Sequence, residues 1–327
     1  MPFLMRPNAG ISDSNIIASG TEHFPISTAK TQVKAQLLNP AESIQSRNVL
    51  VIGKNSYVGE FLCEHFSARG AAVVAVASSD CNFLDSTSVH DLFKSFGGKP
   101  FTIIFLAVVN KDIDNSYSAF LKNVQMAWNF VSAARDANVE SVVYFSSVDV
   151  YGRTPKLPMS ETTSINPDTW YGLSKFASEW IVREELGSKF PTCLLRIPGI
   201  FGRSQKDRSV IGRLIATIRK EGKAYVHGDG KLLRDYVFAA DLCEVVERLV
   251  TRKASGTFNV ATGTSVSLLQ ILEAIREALG IEFDVVRLPA NAERGFDMRY
   301  DTSKLSAVIG KFDFSPLTAG IRSYHNP

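Results

Sequence analysis

Short, almost wholly apolar runs recur at residues 48–52, 71–76, 101–107, 141–145 and 192–197. A strand apolar at every position, not every second one, must be buried on both faces. Between these runs lie segments with a helical period. Val58, Phe61, Leu62 and Phe66 recur at helix spacing before Gly70 stops the run. A helix is expected over 117–137, with Phe120, Leu121, Val124, Trp128 and Val131 on one face, and another over 170–186. Strands alternating with helices dictate an α/β fold: a doubly wound parallel sheet covered by helices on both faces.

The rest of the chain is less regular. After Gly202 a helix is expected over 210–221, then a hairpin around Gly228-Asp229-Gly230 and a helix from Asp241. A strand at 257–260, a helix at 267–279, a strand at 283–288 and a short helix complete the reading. The expected division is an N-terminal extension (1–46), a cofactor-binding domain of Rossmann type (47–202, with a returning segment 235–262), and a smaller interwoven substrate-binding lobe (203–234 and 263–327). The extension is mostly polar, with at most a short helix at 28–38, and reads as a flexible tail or a docking arm for a second subunit.

Composition excludes several classes. A formal charge of +3 is too small and too dispersed to call for nucleic acid or a membrane surface as partner. No apolar run reaches the roughly 18–20 residues that span a bilayer. Residues 1–20 lack a basic stretch leading into an apolar core, so they do not read as a secretory signal. Cys63, Cys81, Cys193 and Cys243 show no metal-ligand spacing, so no metal is expected. Cys63 and Cys193 fall in apolar stretches and read as buried free thiols, which suits a reducing cytoplasm.

The first strand runs into Gly53-Lys54-Asn55-Ser56-Tyr57-Val58-Gly59 and then into a helix. A dinucleotide turn needs small residues, so that the backbone approaches the pyrophosphate, and a helix N-terminus facing the anion. Gly53 and Gly59 stand six apart, with Ser56 in the middle position of a G-x-x-G-x-x-G pattern. The second strand ends in Ala77-Ser78-Ser79, with Asp80 arriving late, where an acid would bind the ribose hydroxyls of NAD. With Lys54 in the turn available to a 2′-phosphate, NADP(H) is favoured and NAD(H) is the alternative.

A second constellation points to chemistry. Tyr171 and Lys175 lie four apart at the start of a helix and project from one face. A phenol with a pKa near 10 is a poor acid/base at neutral pH, and a neighbouring ammonium is expected to lower it. Upstream, the 141–145 strand ends in Ser146-Ser147, at the sheet edge where such folds bind ligands. The Ser147 hydroxyl there could hold the oxygen that exchanges a proton with Tyr171.

Across roughly residues 48–322 the chain resembles the extended short-chain dehydrogenase/reductases, the NAD-dependent epimerase/dehydratase family. The resemblance rests on Val51-Ile52-Gly53 with Gly59, Phe105-Leu106-Ala107, Asn123, Phe145-Ser146-Ser147 with Val150-Tyr151-Gly152, and Trp170-Tyr171-Gly172-Leu173-Ser174-Lys175. It continues in Leu195-Arg196-Ile197-Pro198 with Phe201-Gly202, Gly228-Asp229-Gly230 with Arg234-Asp235-Tyr236, and Asp241-Leu242. The resemblance implies Ser147, Tyr171 and Lys175 as a catalytic triad. It implies a cofactor lined by Gly53, Lys54, Ser56, Tyr57, Val58, Gly59, Asn82, Phe83, Leu106, Ala107, Asn123, Tyr171, Lys175 and Pro198. Asn82-Phe83 stands where the family places an acid beside the adenine, and Asn123 would support the lysine through water. Substrate contacts are implied for Ser147, Asp149, Gly199 and Arg234, with Arg234 on the diphosphate of a nucleotide sugar and Arg294 and Arg299 as weaker candidates.

Two departures narrow the reaction. Gly199 stands where the family often has asparagine. Val148-Asp149 keeps only the second acid of the pair that sugar dehydratases carry, and eliminating water needs both an acid and a base. The turn, with Asn82-Phe83-Leu84-Asp85, is similar to that of dTDP-4-dehydrorhamnose reductases, while Arg294-Gly295-Phe296-Asp297 and Asp301-Thr302-Ser303-Lys304 resemble the tail of larger sugar-nucleotide enzymes. The expected activity is reduction of the 4-keto group of a nucleotide-activated deoxysugar. A 4-epimerase with tightly bound NAD is the alternative, and a non-catalytic NADP-binding relative is the third reading. The expected partners are the nucleotide sugar and a second copy of the chain in a homodimer.

Overall fold

β1 (Asn48–Ile52) is buried along almost its whole length and pairs in parallel with β2 (Ala72–Val76) on one side and β3 (Phe101–Phe105) on the other. A computed structural model describes residues 43–153, 156–204, 207–290 and 295–325. With β4 (Val139–Phe145), β5 (Thr192–Arg196) and β10 (Gly256–Asn259), the strands form one parallel sheet in the order β10-β5-β4-β3-β1-β2. Successive residues of each central strand face opposite sides. Val49, Val51, Ile104, Val143 and Leu195 pack against α1 (Tyr57–Ala68) and α6 (Ala239–Thr251). Leu50, Ile52, Ile103, Phe105 and Val142 pack against α2 (Ser86–Lys94), α3 (Tyr117–Ala134) and α4 (Trp170–Leu186). The doubly wound architecture read from the apolar runs is the one observed. Because β1 is followed by β2 on one side and β3 on the other, a crevice opens at the carboxyl ends of these strands.

Some details differ. β2 is an edge strand whose first four residues alternate between exposed and half-buried, with only Val76 buried. α2 follows an Asp85 cap and was not foreseen, since only Val89 and Phe93 of its nine residues are buried. On α3 the buried face is Ala119, Asn123, Ala127, Phe130, Val131 and Ala134, while Leu121 and Trp128 are exposed. Small residues and an asparagine share the buried face with Phe130 and Val131 and let this helix lie close to α4, so Leu121 and Trp128 fall outside its core face. The residue 28–38 helix falls outside the described residues.

The remaining elements build a second layer of contacts. β6 (Gly199–Phe201) pairs in parallel with β9 (Tyr236–Phe238). α5 (Val210–Glu221) and α7 (Leu268–Leu279) enclose a core of Ile211, Ile215, Val226, Ile271, Leu272 and Ile275. The expected Gly228-Asp229-Gly230 hairpin is absent. β7 (Lys223–His227) pairs in parallel with β12 (Asp284–Leu288), while β8 (Leu233–Arg234) pairs with β11 (Val266–Ser267). The glycines turn the chain, but the register of the flanking strands is set by later partners. α8 (Ser303–Ile309) returns Leu305 and Ile309 to the core under the sheet, and α9 (Leu317–Arg322) packs on α7.

One buried polar network ties α4 to the sheet. Glu179 on α4 receives Arg196 at both oxygens (Nε at 3.0 Å, a terminal nitrogen at 2.7 Å) and the Ser146 hydroxyl. Arg196 also donates to the Tyr151 hydroxyl at 3.2 Å, which donates to Asn259 Oδ1 at 2.6 Å. Removing one partner of such a pair strands a buried charge at about 3–5 kcal/mol, whereas replacing both with apolar groups of similar volume is often near neutral. Arg196→Met and Glu179→Leu are therefore each expected to destabilise by about 3–5 kcal/mol, and the double variant by less than either. Urea melts showing additive losses would remove the pair as a coupled unit.

Candidate active site

The turn after β1 is built for close approach. Gly53 has φ +104°, and a side chain on it would press on Leu106 and the Ala107 amide at 3.2–3.3 Å. A Cβ on Gly59 would lie 2.3 Å from the Gly53 carbonyl. Ser56 caps α1, its hydroxyl accepting from the Gly59 amide at 3.0 Å. Val58 is buried, and Leu106 is tied to Ile52 by a backbone hydrogen bond of 2.9 Å. The residues present therefore fit a dinucleotide diphosphate. The Tyr57 hydroxyl, however, donates to the Gly202 carbonyl at 2.7 Å, so its side chain ties the turn to the segment after β6.

At the end of β2 the structure changes the reading. Asp80 arrives late in the sequence, yet its carboxylate folds back to accept the Ala77 amide at 2.9 Å and Lys54 Nζ at 2.7 Å. The lysine, with help from the Ala77 amide, holds the Asp80 carboxyl below its usual range. Lys54 is thus paired with an acid at the strand end, not a lone cation. Asn82 is exposed and its side chain accepts from the Leu84 amide, while Phe83 is buried edge-on against Phe105. The Phe83 carbonyl accepts from buried Asn129 at 2.9 Å.

Ser147, Tyr171 and Lys175 come together at the carboxyl edge of β4. Ser147 caps a 3₁₀ turn (Val148–Tyr151), its hydroxyl accepting from the Asp149 amide at 3.1 Å, and lies close enough to Tyr171 to act on its phenol. Lys175 is buried, donates to the Phe145 carbonyl at 2.6 Å, and lies 5.8 Å from the Tyr171 ring centre. Burial, opposed by Glu179, pulls Lys175 down to about 7. The Tyr171 phenol is pushed up, first by burial and then by the Asp149 carboxylate, with Ser147 acting the other way. The expected lowering by an adjacent ammonium is therefore not what this arrangement produces: the ammonium points at a carbonyl, and a carboxylate stands nearer in effect.

Asn123 is buried, with Oδ1 accepting from the Val109 amide at 2.7 Å and Nδ2 donating to the Val109 carbonyl and Ser174 hydroxyl. It braces the loop after β3 against α4. That loop brings a residue the sequence reading missed. Lys111 Nζ pairs with Asp149 and lies 5.6 Å from the Tyr171 ring centre. Asn115 from the same loop accepts the Tyr171 amide at 2.9 Å. Only the position of this loop at the carboxyl edge of β3 signals it in sequence.

The candidate substrate residues are spread further. The Tyr236 ring lies where a Gly199 Cβ would be, at 2.6 Å, so glycine makes room for it. Pro198 is half-buried between β5 and β6. Arg234 donates to the Leu233 and Phe296 carbonyls at 2.8 and 2.6 Å and lies 5.5 Å from the Phe296 ring centre. Arg153 approaches the same ring at 5.8 Å. Arg299 is exposed and 3.8 Å from Asp297, and Arg294 lies outside the described residues.

Comparison with known proteins accords with this arrangement. The family model described as "NAD dependent epimerase/dehydratase family" matches residues 49–261. The chain is 26% identical to a dTDP-4-dehydro-6-deoxy-D-allose reductase from a Streptomyces species, over 86% of this chain and 96% of that protein. It is 28% identical to a UDP-glucose 4-epimerase from Lactobacillus helveticus, over 62% of this chain and 68% of that protein. Its fold is similar to that of an epimerase from Methanothermobacter thermautotrophicus, with a TM-score of 0.77 at 22% identity, covering 86% and 92% of the two chains. With a family match over well over half its length, a doubly wound sheet and a glycine turn at the sheet edge, this chain belongs to the NAD-dependent epimerase/dehydratase family, enzymes of the extended short-chain dehydrogenase/reductase type.

Proposed function

We propose that the enzyme reduces a keto group, at C4, of a nucleotide-activated deoxysugar. The observation that carries this is the convergence of Ser147, Tyr171 and Lys175 on the sheet edge that also holds the Gly53–Gly59 turn. A bound nicotinamide dinucleotide supplies hydride there. Tyr171, kept protonated by burial and by Asp149, delivers the proton to the carbonyl oxygen as it becomes a hydroxyl. Ser147 orients that oxygen. Lys175, balanced near neutrality, favours the phenolate left behind whenever it carries its own proton. Arg234, fixed by two backbone carbonyls, meets the diphosphate. Similarity to a dTDP-4-dehydro-6-deoxy-D-allose reductase over nearly its full length supports this reading.

A 4-epimerase is the second reading, supported by the similarity to a UDP-glucose 4-epimerase. An epimerase isolates with its dinucleotide bound, whereas a reductase consumes added NADPH or NADH. Tyr171→Phe is expected to lower turnover by about 10²–10⁴-fold and leave cofactor affinity within a few-fold. Stopped assays on dTDP-4-keto-6-deoxyglucose with cofactor titration check both, and near-wild-type turnover removes Tyr171 from the mechanism.

Cofactor choice reduces to the state of one ion pair. As a neutral pair, Lys54 and Asp80 discriminate weakly between the cofactors, and NADP(H) is favoured only when Lys54 turns from Asp80 to a 2′-phosphate. Asp80→Ala is therefore expected to improve NADPH affinity about tenfold relative to NADH, and Lys54→Ala to weaken NADPH while sparing NADH. Equal changes for both cofactors in fluorescence titration would place the pair outside the adenosine site.

A further inference from the structure

The loop after β3 (residues 108–116) runs along the edge of the site, and the proton transfer at Tyr171 uses none of its side chains directly. It is nevertheless tied down along its length. Asn123 on α3 holds the Val109 amide and carbonyl at 2.7 and 3.1 Å. The Asn110 carbonyl accepts the Ile113 and Asp114 amides at 2.9 and 3.0 Å, closing a turn around Lys111 and Asp112. Asn115 accepts the Tyr171 amide at 2.9 Å and so fixes the loop to the first turn of α4. From this turn Lys111 reaches Asp149 on the 3₁₀ turn and pairs with it, its ammonium 5.6 Å from the centre of the Tyr171 ring.

The groups that bear on the Tyr171 phenol sort by sign. Asp149, Tyr144 of β4 and Asp112 raise its hold on the proton, while Ser147 acts the other way. Lys175, on the same helix, lies 5.8 Å from the ring centre. Each of the two carboxylates is met by a cation from another element: Asp149 by Lys111, and Asp112 by Arg213 of α5 at 3.7 Å. The two pairs are not equal. Asp112 and Arg213 are 54% and 57% exposed, so water and salt screen them. Asp149 is 17% exposed, so the charge that offsets it beside the phenol is that of Lys111. When Tyr171 gives up its proton, its O–H bond breaks, the proton joins the substrate oxygen and a phenolate remains. A bare carboxylate beside that phenolate puts two like charges at one buried edge, which disfavours the transfer.

We propose that Lys111 is a positioning residue for the reaction at Tyr171: by holding Asp149, it keeps an uncompensated carboxylate from facing the phenolate that proton transfer creates. This rests on the reductase reading of the site and deepens it. Because Asn115 of the same loop holds the Tyr171 backbone, ammonium and phenol are carried on one tethered unit. The need for the lysine comes from Asp149, so an enzyme without that carboxylate has no use for the ammonium.

Lys111→Met, Asp149→Asn and the double variant test this, with Lys111→Arg as the conservative control. Turnover of dTDP-4-keto-6-deoxyglucose at saturating NADPH is expected to fall about tenfold in Lys111→Met with KM within about twofold, because a charge at this range moves such a group by about one pH unit after screening. Lys111→Arg is expected to stay within about threefold of wild type. Adding Lys111→Met to Asp149→Asn is expected to cost less than about twofold. A loss that persists undiminished in the Asp149→Asn background overturns the proposal, since a lysine that only tethers the loop is missed with or without Asp149. Wild-type turnover in Lys111→Met overturns it as well. A second readout needs no substrate: tyrosinate formation at high pH in the NADP⁺ complexes, read by ultraviolet difference against the same enzyme carrying Tyr171→Phe. Ionisation is expected to begin about one pH unit lower in Asp149→Asn and in the double variant than in wild type, and no lower in Lys111→Met. Ionisation at the same pH in wild type and Asp149→Asn overturns the proposal. If wild type reduces no keto-sugar with NADPH or NADH while the ionisations keep that order, the reductase reading falls and the coupling of Lys111 to Tyr171 through Asp149 stands.

Discussion

Glu179 is the carboxylate on which the site's geometry turns. It sits one helical turn beyond Lys175 on α4 and is buried where water cannot reach it, so its charge must be met by protein. Arg196, at the carboxyl end of β5, meets it with both arms of its guanidinium, and Ser146, at the carboxyl end of β4, adds a third donor. Two adjacent strand ends are thereby locked to the helix that carries Tyr171 and Lys175. Arg196 also stacks over Tyr151, 4.9 Å from the ring centre, and Tyr151 reaches Asn259 on β10. A buried ion pair is weak evidence for stability, and its stronger use is to specify one arrangement among several. Here the arrangement specified is the position of α4 over the edge of the sheet.

That placement has an electrostatic consequence. Lys175 stands over a carbonyl instead of a carboxylate, and burial outweighs the attraction of Glu179, leaving the amine balanced near pH 7. Tyr171 loses solvent at the same edge and faces Asp149, so it holds its proton more tightly than a free phenol. Asp149 is in turn paired with Lys111, whose loop also accepts the amide of Tyr171 through Asn115. The corner is thus a set of groups balanced against one another, with Asp149 paired to Lys111, the phenol keeping its proton and Lys175 poised near neutrality. A residue that holds its proton firmly is suited to giving it up only when a developing alkoxide draws it.

Most of this frame was legible in the sequence, for a physical reason. Strands buried on both faces read as continuous apolar runs, and a turn that lets a backbone approach a ligand requires glycine, so β1, Gly53 and Gly59 announce themselves. Ser147 at a strand end and Tyr171 with Lys175 on one helix face are likewise local patterns. What stayed hidden depends on contacts distant in sequence. The edge position of β2, the partners of β7 and β8, and the exposure of Trp128 follow from neighbours that no local period encodes. Asp80 looked too late to serve the end of β2, because the turn that folds it back onto the Ala77 amide has no signature in spacing. Lys111 and Asn115 lie in an ordinary polar loop, and only the sheet edge gives them a place. The rise that burial brings to the phenol's proton affinity has no signature in Tyr-x-x-x-Lys, which describes proximity and says nothing of burial.

The glycine turn shows how one residue can bear two readings at once. Tyr57 opens α1, and its amide is one of the unpaired donors of the helix's first turn. Its side chain points the other way and donates to the Gly202 carbonyl, while the Gly202 amide donates to the hydroxyl of Tyr324 at 2.8 Å. Tyr324 follows α9 and reaches Asp207, which in turn accepts the amide of Ser209, the cap of α5. A chain of hydrogen bonds thus runs from the turn through β6 to the last helix and to the start of α5. Burial pushes the Tyr57 phenol up and Tyr324 and Asp207 add to it, so the link is made of neutral hydroxyls that keep their protons. The turn is therefore held at its base by the segment that follows β6, with the Tyr57 ring serving the fold.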